Sequence, residues 1–314
     1  MTFVLYAVRR IVTLIPVMFG ISLVVFLLLH LIPGDPAVTL LGTHATTDAV
    51  AALHHQLGLD KPLWQQYVSF LGGALHGNLG TSYQYTGVSV TSLIASNLSP
   101  TLWLIVAGAV FSVLICVPLA MYAASKPNSV GDNAIRTIPV VGLGMPSFWL
   151  GIMLILLFAL RVPLFPVSGF APGFGGHLRS IVLPGLTVAL TLVPILIRSL
   201  RASMLEVLQS DYIVTARSKG LSGSRVLFGH ALRNASVASV TVLGINIAYL
   251  IGSTVVIEKV FALNGVGYLM LTAILQRDFP IVQAITLLFA ILVVLVNLLT
   301  DLAHAGLDPR VSLA

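Results

Sequence analysis

Long apolar runs without a single Asp, Glu, Lys or Arg decide what this chain can become. Five stand out, at 11–32, 99–124, 137–160, 234–257 and 279–300, and a shorter one at 180–197 extends naturally to about 202. A helix crossing ~30 Å of hydrocarbon needs about 20 mostly apolar residues. Backbone polar groups in lipid must pair within their own segment, which makes helices the default. The runs therefore predict an all-α integral membrane protein with six transmembrane helices. Composition points the same way. Of 314 residues 57% are apolar and only 8% charged, where a soluble domain carries about 25% charged residues. The first run follows Arg9 and Arg10. Its length, and the lack of a small-residue cleavage site after it, predict a retained anchor rather than a signal peptide.

The net charge of +6 is not read as a nucleic-acid footprint, because the basic residues follow a membrane-topology pattern. With the N-terminus cytoplasmic, only Lys61, Arg161, Arg179, Lys259 and Arg277 of the sixteen Lys and Arg residues fall outside. The positive-inside rule favours that orientation, with both termini cytoplasmic. The lone Cys116 lies in an apolar run and offers no disulfide framework within the chain.

The expected organisation has three parts: residues 1–32 as N-terminus and first span, 33–98 as an extracytoplasmic helical segment, and 99–314 as a five-helix core. In the second part Thr47 and Asp48 can cap a short helix with Val50, Leu53 and Leu57 on one face, stopped by Gly58. Pro62 can open another, with Trp64, Tyr67, Val68 and Leu71 at helical spacing. Packing on the outer surface is the plainer expectation for both; a direct substrate role is the alternative. In the core, the inside loop 203–235 is basic. Ser210 can cap a helix that Asp211 favours and Gly220 stops. Tyr212, Thr215, Ala216 and Lys219 share a face there. The pattern fits either a helix docking in a partner's groove or a solvated basic loop.

The stretch Asp211-Tyr212-Ile213-Val214-Thr215-Ala216-Arg217-Ser218-Lys219-Gly220-Leu221 resembles the EAA loop of binding-protein-dependent ABC importers. His230-Ala231-Leu232-Arg233-Asn234-Ala235 follows at the distance seen in the peptide/nickel permease branch. Further pieces occur in family order: Pro33-Gly34-Asp35-Pro36, Leu57-Gly58-Leu59-Asp60-Lys61-Pro62, Gly77-Asn78-Leu79-Gly80, the segment from Gly252 to Phe261, Gly265-Val266-Gly267, and Asp308-Pro309-Arg310. The resemblance runs from Arg9 to Arg310. Departures are local: Val214, Thr215 and Ala216 occupy the EAA positions, Val237-Ala238 replaces Ile-Pro, Asn264 replaces Pro, and Tyr268 stands where many relatives have Arg.

The resemblance implies a B-type permease subunit of a dipeptide/oligopeptide importer in a bacterial inner membrane. Its implied partners are a second, related permease, two ATPases that bind ATP and Mg²⁺, and an extracytoplasmic binding protein, with the bilayer as solvent. It implies no cofactor, metal or catalytic residue on this chain. The loop becomes a cytoplasmic coupling helix, with Asp211, Tyr212, Thr215, Ala216, Arg217, Lys219 and Gly220 at the ATPase contact. Nickel and glutathione permeases of the same branch are alternatives.

The residues themselves agree by what they lack. No G-x-x-x-x-G-K-[ST] phosphate loop and no Gly-Lys dipeptide occurs. A secondary transporter is the rival class, but it usually carries ionisable residues near the midplane, and these span interiors have none. Histidines at 44, 54, 55 and 76 raise a metal site, yet their spacing matches no strong ligand motif. Pro139, Gly142, Gly144, Pro146 and Gly151 predict a bent, closely packed third span, with Gly142, Gly144, Met145, Pro146 and Ser147 as candidates for the translocation path.

Overall fold

A computed structural model describes residues 3–31, 34–85 and 87–307. Pro33 of the first family motif, and Asp308-Pro309-Arg310 with the C-terminus, lie outside the described residues. Within them the chain is helical, apart from turns and one isolated bridge between Thr81 and Ser89. Helix α1 (Phe3–Leu31) leads into three short helices, α2 (Pro36–Leu41), α3 (Thr47–Leu57) and α4 (Leu63–Leu75). The remainder comprises α5 (Val90–Ser125), α6 (Val130–Leu143), α7 (Ser147–Ile155), α8 (Phe174–Leu208), α9 (Asp211–Ser218), α10 (Gly223–Arg225), α11 (Arg233–Val260), α12 (Val266–Gln276) and α13 (Phe279–Leu307). Wide π turns extend α7 over Leu156–Arg161 and join α10 to α11 over Val226–Leu232.

Four helical stretches are long and apolar enough to cross a membrane: Val90–Ser125, Phe174–Leu208, Gly223–Val260 and Phe279–Leu307. Two bent pairs bring the number to six if each is one span: Ile15–Leu31 with Pro36–His44, at 63°, and Val130–Gly142 with Ser147–Arg161, at 102°. The second pair covers the predicted third span, 137–160, and is broken there rather than gently bent. Pro146 has no N–H to give a continuing helix, disfavours the α region for the residue before it and is itself extended at ψ 140°, so the helix restarts at Ser147. The long helices also overrun the charge-free runs. Thus α5 begins at Val90, before 99, and α8 carries Arg179, Arg198 and Arg201 within it. Charge marks where lipid ends, not where a helix must.

The core is built on α5 and α8, which pack along their lengths. Small residues bring the two backbones together. A Cβ on Gly108 would meet Val188 Cγ1 at 2.3 Å, and one on Gly185 would meet Ala107 Cβ at 2.9 Å. Where lipid removes the hydrophobic drive between helices, such close van der Waals packing is the main cohesive term. Leu104, Val188, Leu196, Leu200 and Met204 fill this layer. A second cluster, including Leu29, Val90, Ile94, Phe279 and Ile285, joins α1, α5, α12 and α13 at the opposite end of α5.

The 33–98 segment is stitched to α1 and α13. Asp35 caps α2 by accepting the Ala37 N–H at 2.8 Å and meets His54 Nε2 at 2.7 Å. Thr46, not Thr47, caps α3, through Oγ1 to the Ala49 N–H; Gly58 ends it in the left-handed region at φ 69°. In α4, Tyr67 is buried and its hydroxyl meets Ser22 Oγ at 2.8 Å and Phe19 O at 3.2 Å on α1. The Ser82 hydroxyl and the Gln84 N–H both donate to Asp278, which ties the chain before α5 to the start of α13.

Candidate coupling site

Helix α9 sits between α8 and α11 on short leads. Gln209 and Ser210 join it to α8, and residues 219–222 join it to α10 and thence to α11. Its start is not capped as expected. The Ser210 hydroxyl bonds back to Val207 O at 2.5 Å instead of turning to α9. Its end is as expected: Gly220 takes φ +80°, where a side chain would be strained. Ile213 and Ala216, at 0% and 8% exposure, hold α9 against the rest of the chain. Asp211, Tyr212, Thr215, Arg217, Lys219 and Gly220 are exposed.

Six of the seven sequence-derived coupling residues thus share an accessible surface, and Ala216 does not. It belongs to the seating face, because it lies three positions after Ile213 and a helix brings i and i+3 together. The two family motifs meet here. Asn234 Nδ2 donates to the Tyr212 hydroxyl at 3.0 Å and to His230 O at 2.9 Å. That bond fastens α9 to the first turn of α11.

A second joint lies one helix away. Asp132, on the first turn of α6, is shut from solvent and accepts a bidentate pair from Arg201 of α8, Nε to Oδ1 and Nη2 to Oδ2, both at 2.6 Å. The Asn128 N–H donates to Oδ2 as well, at 2.8 Å, and the Asp132 N–H donates to the Ser129 cap. Fork-to-fork geometry of this kind fixes direction as well as distance. The start of α6 is therefore locked to the same helix, α8, whose end carries α9.

At the α6–α7 break, Gly144 and Pro146 are exposed, while Gly142, Met145 and Ser147 are half-buried. None of these five lines the ≈ 950 Å³ cavity between α6 and α8, whose wall includes Arg136, Pro139, Val140, Pro194 and Arg198.

Glu258, missed in the sequence, organises the far end of α11. It is fully buried and accepts from Thr101 Oγ1 of α5 at 2.6 Å and from the Tyr268 N–H of α12 at 2.7 Å. Thr101 Oγ1 in turn accepts the Val266 N–H at 2.8 Å. Glycine is required beside it, since a Cβ on Gly265 would lie 2.3 Å from Glu258 Cδ. The Gly265-Val266-Gly267 motif is thus the backbone half of a carboxylate cradle. Among the described residues, no three His, Cys, Asp or Glu side chains are grouped to hold a metal ion. His54 is engaged with Asp35.

The chain matches two family models. One is "Binding-protein-dependent transport system inner membrane component", over residues 116–313, and the other is its N-terminal counterpart, over residues 3–102. It is 40% identical over 309 residues to "Probable peptide ABC transporter permease protein y4tP" of Sinorhizobium fredii, covering 98% of each chain. It is 36% identical over 306 residues to "Glutathione transport system permease protein GsiC" of Escherichia coli K12, again covering 98% of each. The solved inward-facing MetNI methionine ABC transporter is similar in fold, with a TM-score of 0.55 at 20% identity over 69% of this chain and 96% of that one. The chain belongs to the binding-protein-dependent transport system inner membrane components, as an ABC importer permease of the B-type dipeptide/oligopeptide branch.

Proposed function

We propose that this chain is one of two permease subunits of an ATP-driven importer of short peptides in a bacterial inner membrane. In this reading it crosses six times, each bent pair counting once, with both termini and α9 cytoplasmic. Two ATPases carry ATP and Mg²⁺; the chain itself binds no cofactor. A binding protein delivers cargo on the other side. The exposed face of α9 (Tyr212, Thr215, Arg217, Lys219), presented by a helix rooted through Ile213 and Ala216, is the observation that carries the proposal. Closure of the ATPases would push α9, and through its short leads α8 and α11; the Asp132–Arg201 pair would pass the movement to α6 and its break. A two-state element biased from one site and read at another meets the requirement for coupling.

Uncharged and mostly small residues at the break (Gly142, Gly144, Met145, Pro146, Ser147) suit a path for zwitterionic cargo of varied side chain, since tight contacts would trap it. Glutathione, itself a tripeptide, is the second reading, favoured by the relatives at 36% identity. The test is uptake by the assembled complex in proteoliposomes. ATP-dependent uptake of a labelled dipeptide or oligopeptide, competed by peptides, supports the first reading. Competition by glutathione alone moves the substrate to the second, and competition by nickel alone removes peptides. Uptake without ATP sinks the importer reading.

A further inference from the structure

Helix α4 carries three distinct faces. Tyr67 is the buried anchor of the face toward α1, with Phe70 and Ala74 half-buried at i+3 and i+7 from it. About 100° around the helix, Trp64, Val68, Leu71 and Leu75 repeat at i, i+4, i+7 and i+11. Of these Trp64 is 65% exposed, Val68 58% and Leu75 87%. Gln65 and Ser69 lie on the third side and are exposed too. No Asp, Glu, Lys or Arg occurs between Lys61 and Lys126, so nothing charged interrupts α4. A bare apolar stripe beside a polar one would be costly in water, at about 25 cal/mol per Å² of exposed apolar surface.

The anchor fixes the depth of α4. Arg9 and Arg10 mark the inner edge of the first span, because two guanidinium groups cannot sit in hydrocarbon. At 1.5 Å rise per residue, a ~30 Å hydrocarbon layer that starts just beyond Arg10 ends near residue 30. Tyr67 packs its ring 5.2 Å from that of Phe26 and 5.7 Å from that of Phe19. Its hydroxyl reaches Ser22 and the Phe19 carbonyl, about 14–18 Å above Arg10 on the same rise. Those partners lie well below the outer edge of the layer. A helix that touches them cannot stand clear of the membrane in water.

We infer that α4 is a lipid-facing helix sunk into the outer leaflet, with Trp64, Val68, Leu71 and Leu75 against acyl chains and Gln65 and Ser69 toward the headgroups and water. A depth of about 5–10 Å below the headgroup boundary is usual for such helices. The segment that links the first span to the core is then a membrane-bound collar around α1, not an aqueous domain. The inference rests on α1 as a span and not on what the protein carries.

Nitroxide labels at single cysteines replacing Trp64, Gln65, Val68, Ser69 and Leu75 test it, in the full chain reconstituted into liposomes and again in the assembled complex with cysteine-free partners. Cys116 is buried at 3% exposure and stays unlabelled. Labels at 64, 68 and 75 should collide with oxygen more than with a water-soluble nickel chelate, and labels at 65 and 69 the reverse. Chelate access at all five positions would place α4 in water. Exclusion of both probes from 64, 68 and 75 only after assembly would assign the stripe to a partner protein. Either result overturns the inference. A second readout needs no label: in a W103F/W149F chain, lipids brominated along their acyl chains should quench Trp64 emission and aqueous iodide should not.

Discussion

Replacing Arg201 with Met removes the clamp between α6 and α8. Asp132, shut from solvent in the wild-type chain, then keeps one donor, the Asn128 N–H at 2.8 Å. Breaking a buried ion pair by deleting one partner costs about 3–5 kcal/mol, because a charge is left uncompensated. Two features move this case to the lower end. Arg136 also faces the carboxylate's charge, and Arg201 borders a cavity that can admit water. About 3 kcal/mol is therefore expected, which at about 2 °C per kcal/mol for a large domain lowers Tm by roughly 6 °C. The assay is thermal unfolding of the purified chain in mild detergent, beside uptake by the reconstituted complex. The double variant Asp132→Asn/Arg201→Met keeps an acceptor for Asn128 and removes the buried charge, so it should regain most of the Tm. An unchanged Tm for the single variant would refute the reasoning. So would a double variant as unstable as the single one, since charge burial would then not be the cause.

Three further outcomes follow from the same geometry. Lys219→Glu on the exposed side of α9 should abolish uptake and leave Tm within about 1 °C, whereas Ala216→Asp should lower Tm as well, because it buries an unpaired charge against the chain itself. Equal Tm values for the two would dissolve the distinction between seating and docking faces. Glu258→Ala strands the Tyr268 N–H and the Thr101 hydroxyl in a buried cradle, at about 1–3 kcal/mol per lost partner. Hydrogen exchange at the start of α12 should then rise sharply, and unchanged protection there would count against the cradle. Asp35 is held below the ordinary carboxylate value of 3.8: burial pushes it up, but the His54 bond and the Ala37 N–H outweigh that. Its contribution, at most about 1 kcal/mol at this exposure, is complete above pH ~4 and lost as pH falls through the lower folded value. Protease resistance of the 33–98 segment should follow that course in wild type and be flat in Asp35→Asn.

The charge-free runs predict every long helix, because lipid leaves no other use for twenty apolar residues in a row. They do not locate helix ends. Polar but uncharged residues such as Ser89 and Thr91 let α5 start well before its apolar centre. The short helix α12 is too brief to register as a span, and only its family motif marks it. At the candidate site, the surface of α9 was legible from spacing and resemblance together. Its seating was not, since Ala216 is apolar, small and equally suited to either face. Asp132 and Glu258 carry a signal in their charge alone. In a chain with ten acidic residues, each one beside a span demands a partner. Which partner depends on α6 crossing α8 and α5 meeting α11, a matter of tertiary packing that no local pattern encodes.

A photo-crosslinker placed at Thr215, on the exposed side of α9, tests the coupling contact directly in the assembled complex. Adducts with an ATPase subunit are expected, with a yield that changes between nucleotide-free and ATP-bound states. Adducts confined to lipid, to the second permease or to the binding protein would place α9 on the wrong surface and contradict the coupling assignment.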